Sequence, residues 1–578
     1  MTQIGEAVAV TTIPNEPEHE MKKKKVKIRF SLFYDGTLNN RRNIDEREKS
    51  EDGETTDTYK EVGDGGNNSY DNGRTNIAIM EPHIYVFERI TANGAYNHTF
   101  KIYIEGQGTF NTEDKGERRA LDGEVGDSMV GYAGGSGASG VAERAKKGYK
   151  KAIAQLRNIL ANYPPDIYEI EKIDVDVFGF SRGAATARYS ISLMLEEEDT
   201  PIADHLISRG YDSLTKEMIE VKFAGLYDTV LSVNGSQYSY WSDNTLNQQS
   251  VQLAKKTLHL AAAEEHRLDF CLHKITSAKQ IGLGKEYYLP GVHADIGGSY
   301  NQASEVLLDK STDDSVVIYR TVLDAGSEKK LNAKKAKLIA DGLYTDLNIT
   351  VEVNSKGVMG FFTKAKLVAY KEIKGRQYMR PSSEVNRIIN IGSMASLNLD
   401  RENLIRQGWY NEYEIDIGTK KAALAMGAVV GGVVGSAFAG VGAGAGAAAG
   451  VAAVASMGAL IVNRENIQSA YSNIPLRIMA DYAVDQAGLN MNPKLNQRAH
   501  IILSDAALLG VYDELKKYIA NVGNDSKPED WLDESSKWHA GIDMKALRHN
   551  HLHMSAKMAF GYFPRFSGND RRRYYYEG

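Results

Sequence analysis

Residues 173–185 have the sequence IDVDVFGFSRGAA, and this stretch contains the clearest indication of how the chain folds. Ile173, Val175 and Val177 alternate with aspartates, a period of two that predicts a β-strand. The small residues that begin at Ala184 favour a helix. A strand, a tight Gly-x-Ser-x-Gly turn and a helix therefore follow each other in this stretch.

Such a turn exposes a serine hydroxyl at the end of a strand and directs a helix N-terminus at it. Gly179 and Gly183 suit the close approach of strand and helix, because a side chain at either position would collide with its neighbours. Ser181 is the candidate nucleophile. A Gly-rich β-to-α turn without catalytic function is the alternative interpretation.

Other parts of the chain also show predicted strands and helices. Strands are predicted at 26–34, 100–104, 221–226 and 287–289, and a helix is predicted around 141–160. Strands that alternate with helices predict an α/β fold with a mostly parallel sheet and helices on both faces.

A nucleophilic serine needs a base, and the base needs a carboxylate that orients it. In α/β-hydrolases the chain order is serine, then aspartate or glutamate, then histidine. Asp228 ends one predicted strand, and His293 follows another. Both positions fall at carboxyl ends of strands, where α/β folds place their chemistry.

Other residues compete for these two roles. His259, His266 and His273 are rivals for the base, although the sequence around them favours a helix. Asp295 is a rival for the carboxylate, but its closeness to His293 favours a role in orienting the loop.

The oxyanion hole is predicted from backbone N–H groups. One is that of Arg182, the residue after the nucleophile. The second is expected from the turn at Asp35 and Gly36, where glycine lets the backbone approach a substrate. A plain turn glycine is the alternative at Gly36.

Composition limits the function classes. The chain has 578 residues, a net charge of −6 and one cysteine, Cys271, which fits synthesis in the cytoplasm and gives no indication of nucleic-acid binding. Residues 1–20 contain four glutamates and no lysine or arginine, so no secretory signal is recognised. No cofactor motif and no metal-ligand spacing is evident, and His549, His551 and His553 lack a supporting cysteine or carboxylate pattern.

Residues 422–463 contain no charged side chain and are nearly all Ala, Gly and Val. A single helix of this length would be about twice as long as the ~30 Å hydrocarbon core of a bilayer, so a helical hairpin fits better. Small residues four apart allow two helices to pack closely. The glycines with this spacing are Gly427, Gly431, Gly435, Gly442, Gly446 and Gly450.

Lys420, Lys421 and Arg464 bracket both ends of this run on one side, as a hairpin requires. Three interpretations stay open: a segment that inserts into or lies on the target membrane, a buried hairpin released on contact, or a low-complexity linker.

The domain organisation follows from these changes in composition. We predict a flexible leader at 1–25, an α/β-hydrolase core at 26–301, a mainly helical inserted region at 302–470 that includes the membrane-anchoring run, and a C-terminal part at 471–578 that completes the core. Arg571 to Tyr576 is interpreted either as a docking segment for a delivery partner or as a frayed tail.

The motifs together resemble one family, the type VI secretion lipase effectors of the first subfamily, which are bacterial phospholipases with an α/β-hydrolase core. Five blocks occur in the family's order: 33–40 (FYDGTLNN), 103–109 (YIEGQGT), 179–184 (GFSRGA), 225–230 (GLYDTV) and 290–298 (PGVHADIGG). Residues 473–488 are similar to the helix that closes that core. Tyr227 departs from the family, which often has tryptophan there.

The resemblance implies a Ser181-Asp228-His293 triad and hydrolysis of glycerophospholipid acyl esters without a cofactor. It also implies killing of rival bacteria, delivery by the type VI spike to the target-cell periplasm or membrane, and an immunity lipoprotein in the producer. Two other hypotheses remain: a cytoplasmic carboxylesterase for small soluble esters, and a membrane-perforating toxin that is not an enzyme.

Overall fold

The computed structural model describes residues 22–45, 68–86, 96–109, 140–196, 201–211, 214–232, 246–300, 304–308, 316–340, 349–356, 363–374, 382–418, 458–492, 495, 506–556 and 573–578. The strands are β1 Lys24–Tyr34, β2 His98–Ile104, β3 Tyr168–Phe180, β4 Ile219–Tyr227, β5 Thr257–Ala262, β6 Leu272–His273, β7 Gly284–Leu289, β8 Ser304–Leu308, β9 Val316–Gly326, β10 Ile349–Lys356, β11 Thr363–Lys374, β12 Ser382–Gly392, β13 Ile415–Gly418, β14 Gly458–Ile467 and β15 Tyr575–Tyr576.

The α-helices are α1 Asn68–Asp71, α2 Asn76–Met80, α3 Val141–Leu160, α4 Arg182–Leu195, α5 Pro201–Ile207, α6 Thr276–Gln280, α7 His293–Gly297, α8 Glu328–Ala340, α9 Met394–Arg406, α10 Asn473–Ala487, α11 Ala506–Val522, α12 Glu529–Leu532 and α13 Met544–His551. Short 3-10 helices lie at Glu81–His83, Lys216–Met218, Gln248–Leu253, Glu412–Glu414, Ser469–Ser472 and Lys537–Gly541.

A six-stranded sheet forms the centre of the fold, with the strand order β2-β1-β3-β4-β5-β7. Every neighbouring pair in it is parallel. The strands predicted from the sequence lie within β1, β2, β3, β4 and β7, so the α/β prediction is confirmed. The carboxyl ends of the parallel strands share one edge, where the side chains that follow β1, β3, β4 and β7 gather.

Helices cover both faces of this sheet. On one face, Ile153 and Leu156 of α3 and Ile191 of α4 lie in a core cluster with Val175 of β3. On the other face, Leu476 and Met479 of α10 pack in a cluster with Phe178 and Phe223. α10 coincides with the closing helix that the sequence suggests, and Gly488 ends it in a left-handed conformation with φ 63°.

The prediction of a mainly helical inserted region is wrong for the described residues between 304 and 418. Strands β8 to β11 form an antiparallel sheet with the order β10-β11-β9-β8, and Leu331 of α8 packs in a small core with Leu367 of β11. A second antiparallel sheet has the order β12-β14-β13. Strands form here instead of helices because runs such as Val316–Val322 are rich in β-branched residues, which favour strands.

The uncharged run enters the described part of the chain only at its end. Residues 458–463 belong to β14, where Ala459, Leu460 and Val462 are buried, so the predicted membrane hairpin is wrong for them. Arg464 is fully buried too, which corrects its interpretation as a residue beside the membrane. The six glycines at positions 427, 431, 435, 442, 446 and 450 lie outside the described residues.

The helices that the structure does describe include none with the length and apolarity to cross a membrane.

The frayed-tail interpretation of the segment near Tyr576 is wrong for its described residues 573–578. Tyr575 and Tyr576 form β15, which pairs in parallel with β6. Arg573 is buried, with 3% of its surface exposed. This segment therefore packs into the molecule instead of fraying, and its docking to a delivery partner stays a prediction.

Candidate active site

Ser181 lies on the turn between β3 and α4. Its backbone has φ 59° and ψ −130°, a conformation that costs about 1–3 kcal/mol for a non-glycine residue and is concentrated at functional sites. The Ser181 N–H donates to the Tyr227 carbonyl at 3.0 Å, which ties the turn to the end of β4. The serine is thus held at the carboxyl edge of the sheet, directly before the N-terminus of α4.

The two glycines of the turn are required by close packing. A Cβ on Gly179 would lie 2.4 Å from the Gly183 carbonyl oxygen. A Cβ on Gly183 would lie 2.3 Å from the Asp35 carbonyl oxygen and 2.4 Å from that of Tyr34. All these contacts are with backbone atoms, which cannot move aside as a flexible side chain can.

Asp228 directly follows β4 and is fully buried. Its backbone also has a positive φ, 42°, so it is strained as Ser181 is. The Ala262 N–H, at the end of β5, donates to Asp228 Oδ1 at 2.8 Å. The carboxylate is therefore fixed between the ends of two neighbouring strands.

His293 begins the short helix α7, four residues after β7 ends. Its Nδ1 lies 2.5 Å from Asp228 Oδ2. The imidazole is enclosed by two rings, with the Phe180 centroid at 4.5 Å and the Phe270 centroid at 4.8 Å. Because Phe180 immediately precedes Ser181, the serine, the histidine and the aspartate lie at one edge of the sheet.

The environment sets the protonation of this pair. Burial lowers the pKa of His293 below its usual value of 6.5, and the adjacent Asp228 offsets this only in part. Burial alone would raise the pKa of Asp228, but the charge of Arg573 and the hydrogen bond from His293 hold it well below its usual range. At neutral pH a neutral imidazole therefore lies beside an ionised carboxylate.

Arg573 is part of the site although no sequence motif indicates it. Its Nη1 donates to Asp228 Oδ1 at 2.5 Å and its Nη2 to Oδ2 at 2.8 Å. Both side chains are fully buried. The only hint in the sequence is the basic and aromatic composition of 571–576, which does not reveal where the segment packs.

Three buried carboxylates hold the backbone of the histidine loop. The successive N–H groups of residues 291–293 donate to Glu264, Asp295 and Glu265, at 2.8, 3.0 and 3.1 Å respectively. Asp295 therefore contacts the loop of His293, while the carboxylate that contacts the imidazole is that of Asp228.

Each of these carboxylates has a basic partner. Arg548 donates to Glu264 at 2.7 Å, Arg267 donates to Glu265 at 2.8 Å, and His553 Nδ1 lies 2.8 Å from Asp295. The pairs made by Arg548 and His553 connect the histidine loop to α13 and to the residues that follow it. Buried and paired charges of this kind fix geometry, because leaving any one unpaired is costly.

The three residues predicted to form the oxyanion hole are Arg182, Asp35 and Gly36, and the structure contradicts the prediction for the last two. Arg182 is the first residue of α4, and its role as an oxyanion donor stays a prediction. The Asp35 N–H donates to the Ile104 carbonyl at 2.9 Å, and the Gly36 N–H donates to Asp35 Oδ1 at 2.8 Å. Both are engaged within the fold, so the prediction that Asp35 and Gly36 supply the second donor is wrong for this conformation.

Asp35 instead organises the turn after β1. Thr75 Oγ1 donates to its Oδ1 at 2.6 Å, and the Tyr103 hydroxyl donates to its Oδ2 at 2.5 Å. Burial raises the pKa of Asp35 to about 6, against the lowering effect of these hydrogen bonds. Gly36 is a packing position, because a Cβ there would lie 2.6 Å from the Phe180 ring.

The rival histidines have other partners. His259 and His273 lie on β5 and β6, so the helix predicted around them is wrong. His259 Nδ1 lies 2.9 Å from Glu286, and the Thr229 N–H donates to its Nε2 at 3.1 Å. A short apolar strand buried on both faces lacks alternation, which is why it resembles a helix in sequence.

His549 and His553 are both paired with acids. His549 Nε2 lies 2.9 Å from Glu414, and His553 stacks on Tyr300 at a centroid distance of 3.6 Å. Among the residues that the structure describes, no group of three histidine, cysteine or acidic side chains is arranged to hold a metal ion.

The fold and this edge define an α/β protein with a strained serine at a strand–helix turn and a buried Asp–His pair beside it. Residues 197–316 match the family model described as "T6SS, Phospholipase effector Tle1-like, catalytic domain". That span includes Asp228 and His293 and begins after Ser181. The match confirms the family resemblance that the sequence motifs indicate, that of a type VI secretion lipase effector.

The similarity of this chain to solved structures is weak. One, titled "Structure of the Tle1 effector bound to the VgrG spike from the Type 6 secretion system", has a TM-score of 0.47 and 18% identity, covering 99% of this chain and 98% of that chain. An uncharacterized protein from Pseudomonas aeruginosa has a TM-score of 0.27 and 19% identity, covering 49% of this chain and 42% of that one. No curated protein matches the chain.

Proposed function

We propose that the chain is a phospholipase A that cleaves acyl ester bonds of glycerophospholipids with a Ser181-Asp228-His293 triad. The observation that carries the proposal is the buried pair of His293 and Asp228, with 2.5 Å between Nδ1 and Oδ2, at the edge where Ser181 is held in a strained turn. The family match to phospholipase effectors supports the choice of substrate class.

The chemistry follows from the protonation of the pair. With Nδ1 donating to Asp228, Nε2 of neutral His293 is left as an acceptor. It takes the Ser181 proton as Oγ attacks the ester carbonyl, and then returns that proton to the departing lysophospholipid oxygen. A water activated by the same nitrogen releases the fatty acid from the acyl-serine.

The negative charge of the tetrahedral intermediate needs donors at the same edge. We assign one donor to the Arg182 N–H, because Arg182 begins α4 directly after the nucleophile and a helix N-terminus favours negative charge. Asp35 and Gly36 support the turn against which Gly183 packs, and this keeps the position of Ser181 fixed.

We further propose that the uncharged run contacts the target membrane. Gly418 of β13 pairs with Ala459 of β14, so the described residues on either side of the run lie next to each other in one antiparallel pair. This is what a hairpin with both ends on one side requires, and it supports the proposal. The proposed divisions remain 1–25, 26–301, 302–470 and 471–578, with the membrane segment shortened to end before Gly458.

The proposal also covers the delivery of this protein to a target cell and the protection of the producing cell from it. The family match supports secretion by the type VI system, and we infer a spike protein as carrier, action in the target-cell periplasm or at its membrane, and an immunity lipoprotein in the producer.

Fatty-acid release from phosphatidylethanolamine–phosphatidylglycerol vesicles tests the enzymatic core of the proposal. Wild-type protein should release fatty acid and lysophospholipid, and Ser181→Ala should lower the rate by at least about a thousandfold. Ser192→Ala, on the same helix, is the matched control and should retain the rate. Full activity of Ser181→Ala would contradict the triad.

The same assay separates the two other functions. Replacing 422–457 with a short Gly-Ser linker between the paired strands should lower vesicle hydrolysis and leave hydrolysis of a soluble short-chain ester intact. A cytoplasmic carboxylesterase would show no preference for vesicles. A perforating toxin would leak dye from vesicles of non-hydrolysable ether lipids, and Ser181→Ala would still be toxic.

A further inference from the structure

Arg573 pairs with both oxygens of the carboxylate that orients the base. Besides the two hydrogen bonds to Asp228, its Nε donates to the Phe270 carbonyl at 2.6 Å. Two nearly parallel hydrogen bonds from a planar guanidinium define the orientation of a carboxylate more strictly than a single donor does. Asp228 Oδ2 therefore contacts both Arg573 and His293, while Oδ1 accepts from Arg573 and the Ala262 N–H.

The strand that carries this arginine is built into the fold. β15 begins two residues after Arg573, and Tyr576 stacks on His273 of β6 with 5.0 Å between centroids. The Lys274 N–H donates to the Tyr576 carbonyl at 2.8 Å. Strand pairing thus positions the guanidinium, which reaches Asp228 from a part of the chain 345 residues away in sequence.

The buried carboxylates nearest the imidazole each have a basic partner. Asp228 pairs with Arg573, and Glu265, whose Oε2 accepts the His293 N–H, pairs with Arg267. His266 is a further titratable group beside Glu265. The histidine loop also contacts Glu264, which pairs with Arg548, and Asp295, which pairs with His553. Arg573 is the cation that pairs with the carboxylate in contact with the imidazole.

We propose that Arg573 is a positioning residue that acts through Asp228 to keep the Asp228–His293 pair unprotonated, and hence His293 ready as a base. Without the guanidinium of Arg573, the buried carboxylate of Asp228 would lack a counter-charge. The pair would then bind a proton at higher pH, on the imidazole or on the carboxyl group, and either form is inactive as a base. This inference rests on the proposed triad.

The test is the pH dependence of Ser181 labelling by a soluble fluorophosphonate, which requires no lipid surface. Arg573→Gln should move the midpoint of the acidic limb upward by about one pH unit. Arg573→Lys keeps the cation, and Tyr576→Ala loosens the strand without removing charge, so both should leave the midpoint in place. A lower plateau with an unchanged midpoint in Arg573→Gln would show a merely structural role and overturn the inference.

A double-mutant cycle on thermal stability tests the pairing independently of catalysis. Asp228→Asn and Arg573→Gln each leave one buried charge unpaired, whereas the double variant removes both. We expect the double variant to melt at a higher temperature than either single variant. If Arg573→Gln alone does not fold, the double variant should still fold and melt above Asp228→Asn. Additive losses would overturn the inference. Absence of Ser181 labelling in the wild type would instead contradict the proposed function.

Discussion

Asp228 accepts hydrogen bonds from a backbone amide, an imidazole and a guanidinium, and each donor comes from a different part of the chain. A carboxylate fixed in this way holds His293 in one tautomer, with Nε2 directed away from it. The roles of the two residues in catalysis are therefore separable by substitution.

Asp228→Asn should lower kcat by about 10⁴-fold, because an amide in place of the carboxylate favours the wrong tautomer of the imidazole. Steady-state hydrolysis of vesicles measures this, with circular dichroism as a check on folding. Asp525→Asn, at an exposed position after α11, serves as the control for removing an acidic group. A loss below tenfold would indicate that Asp228 does not orient the base.

The pH profile should reflect the burial of His293. Because burial lowers its pKa, the base stays neutral at pH 6.5 and is protonated only at lower pH. Activity should thus be constant through neutral pH and fall on acidification, with a midpoint of kcat/KM below 6.5. A midpoint at or above 6.5 would contradict the assigned environment.

The residues of the site differ in how far sequence reveals them. Ser181, Asp228 and His293 are indicated by short local patterns at predicted strand ends, and the structure brings these three to one edge. Arg573 is not indicated, because its role depends on where β15 packs. The N–H groups of Asp35 and Gly36 were expected to face substrate, but local hydrogen bonds engage both.

At the scale of elements, the turn between β3 and α4 depends on glycine where backbone meets backbone. Gly183→Ala should abolish activity and lower the melting temperature, because the added Cβ would lie 2.3 Å from the Asp35 carbonyl oxygen. Gly510→Ala, in α11, has no atom within 4 Å of the added Cβ and should raise stability by about 1 kcal/mol. Equal stability of the two variants would contradict this packing.

The central strands were predictable because each shows a run of apolar residues that ends in a turn motif. β5 was not, since Thr257–Ala262 is buried on both faces and has no alternation. The strands of the inserted region were not predicted, because lysines interrupt the apolar alternation in segments such as Thr363–Lys374.

At the scale of the whole molecule, buried ion pairs and hydrogen bonds connect the three-stranded sheet β12-β14-β13 to the residues near α13. Arg464 of β14 pairs with Glu384 of β12 at 3.2 Å and donates to the Leu552 carbonyl at 2.8 Å. Arg548 of α13 in turn pairs with Glu264, which holds the histidine loop. The three-stranded sheet is thereby linked through buried charges to the candidate active site.

Arg464→Met should destabilise the protein by about 3–5 kcal/mol, because it leaves Glu384 buried without its partner. Urea unfolding measures the change. The double variant Glu384→Gln with Arg464→Met should recover part of the loss, since no unpaired charge remains. A change below 1 kcal/mol in Arg464→Met would show that this pair does not hold the sheet in place.

The most direct test of the central claim is to map the residue that an active-site fluorophosphonate modifies. Mass spectrometry of the labelled wild type should find one adduct, on Ser181, and His293→Asn should lose nearly all labelling while Ser192→Ala retains it. An adduct on another residue, or undiminished labelling of Ser181 in His293→Asn, would contradict a Ser181 nucleophile activated by His293.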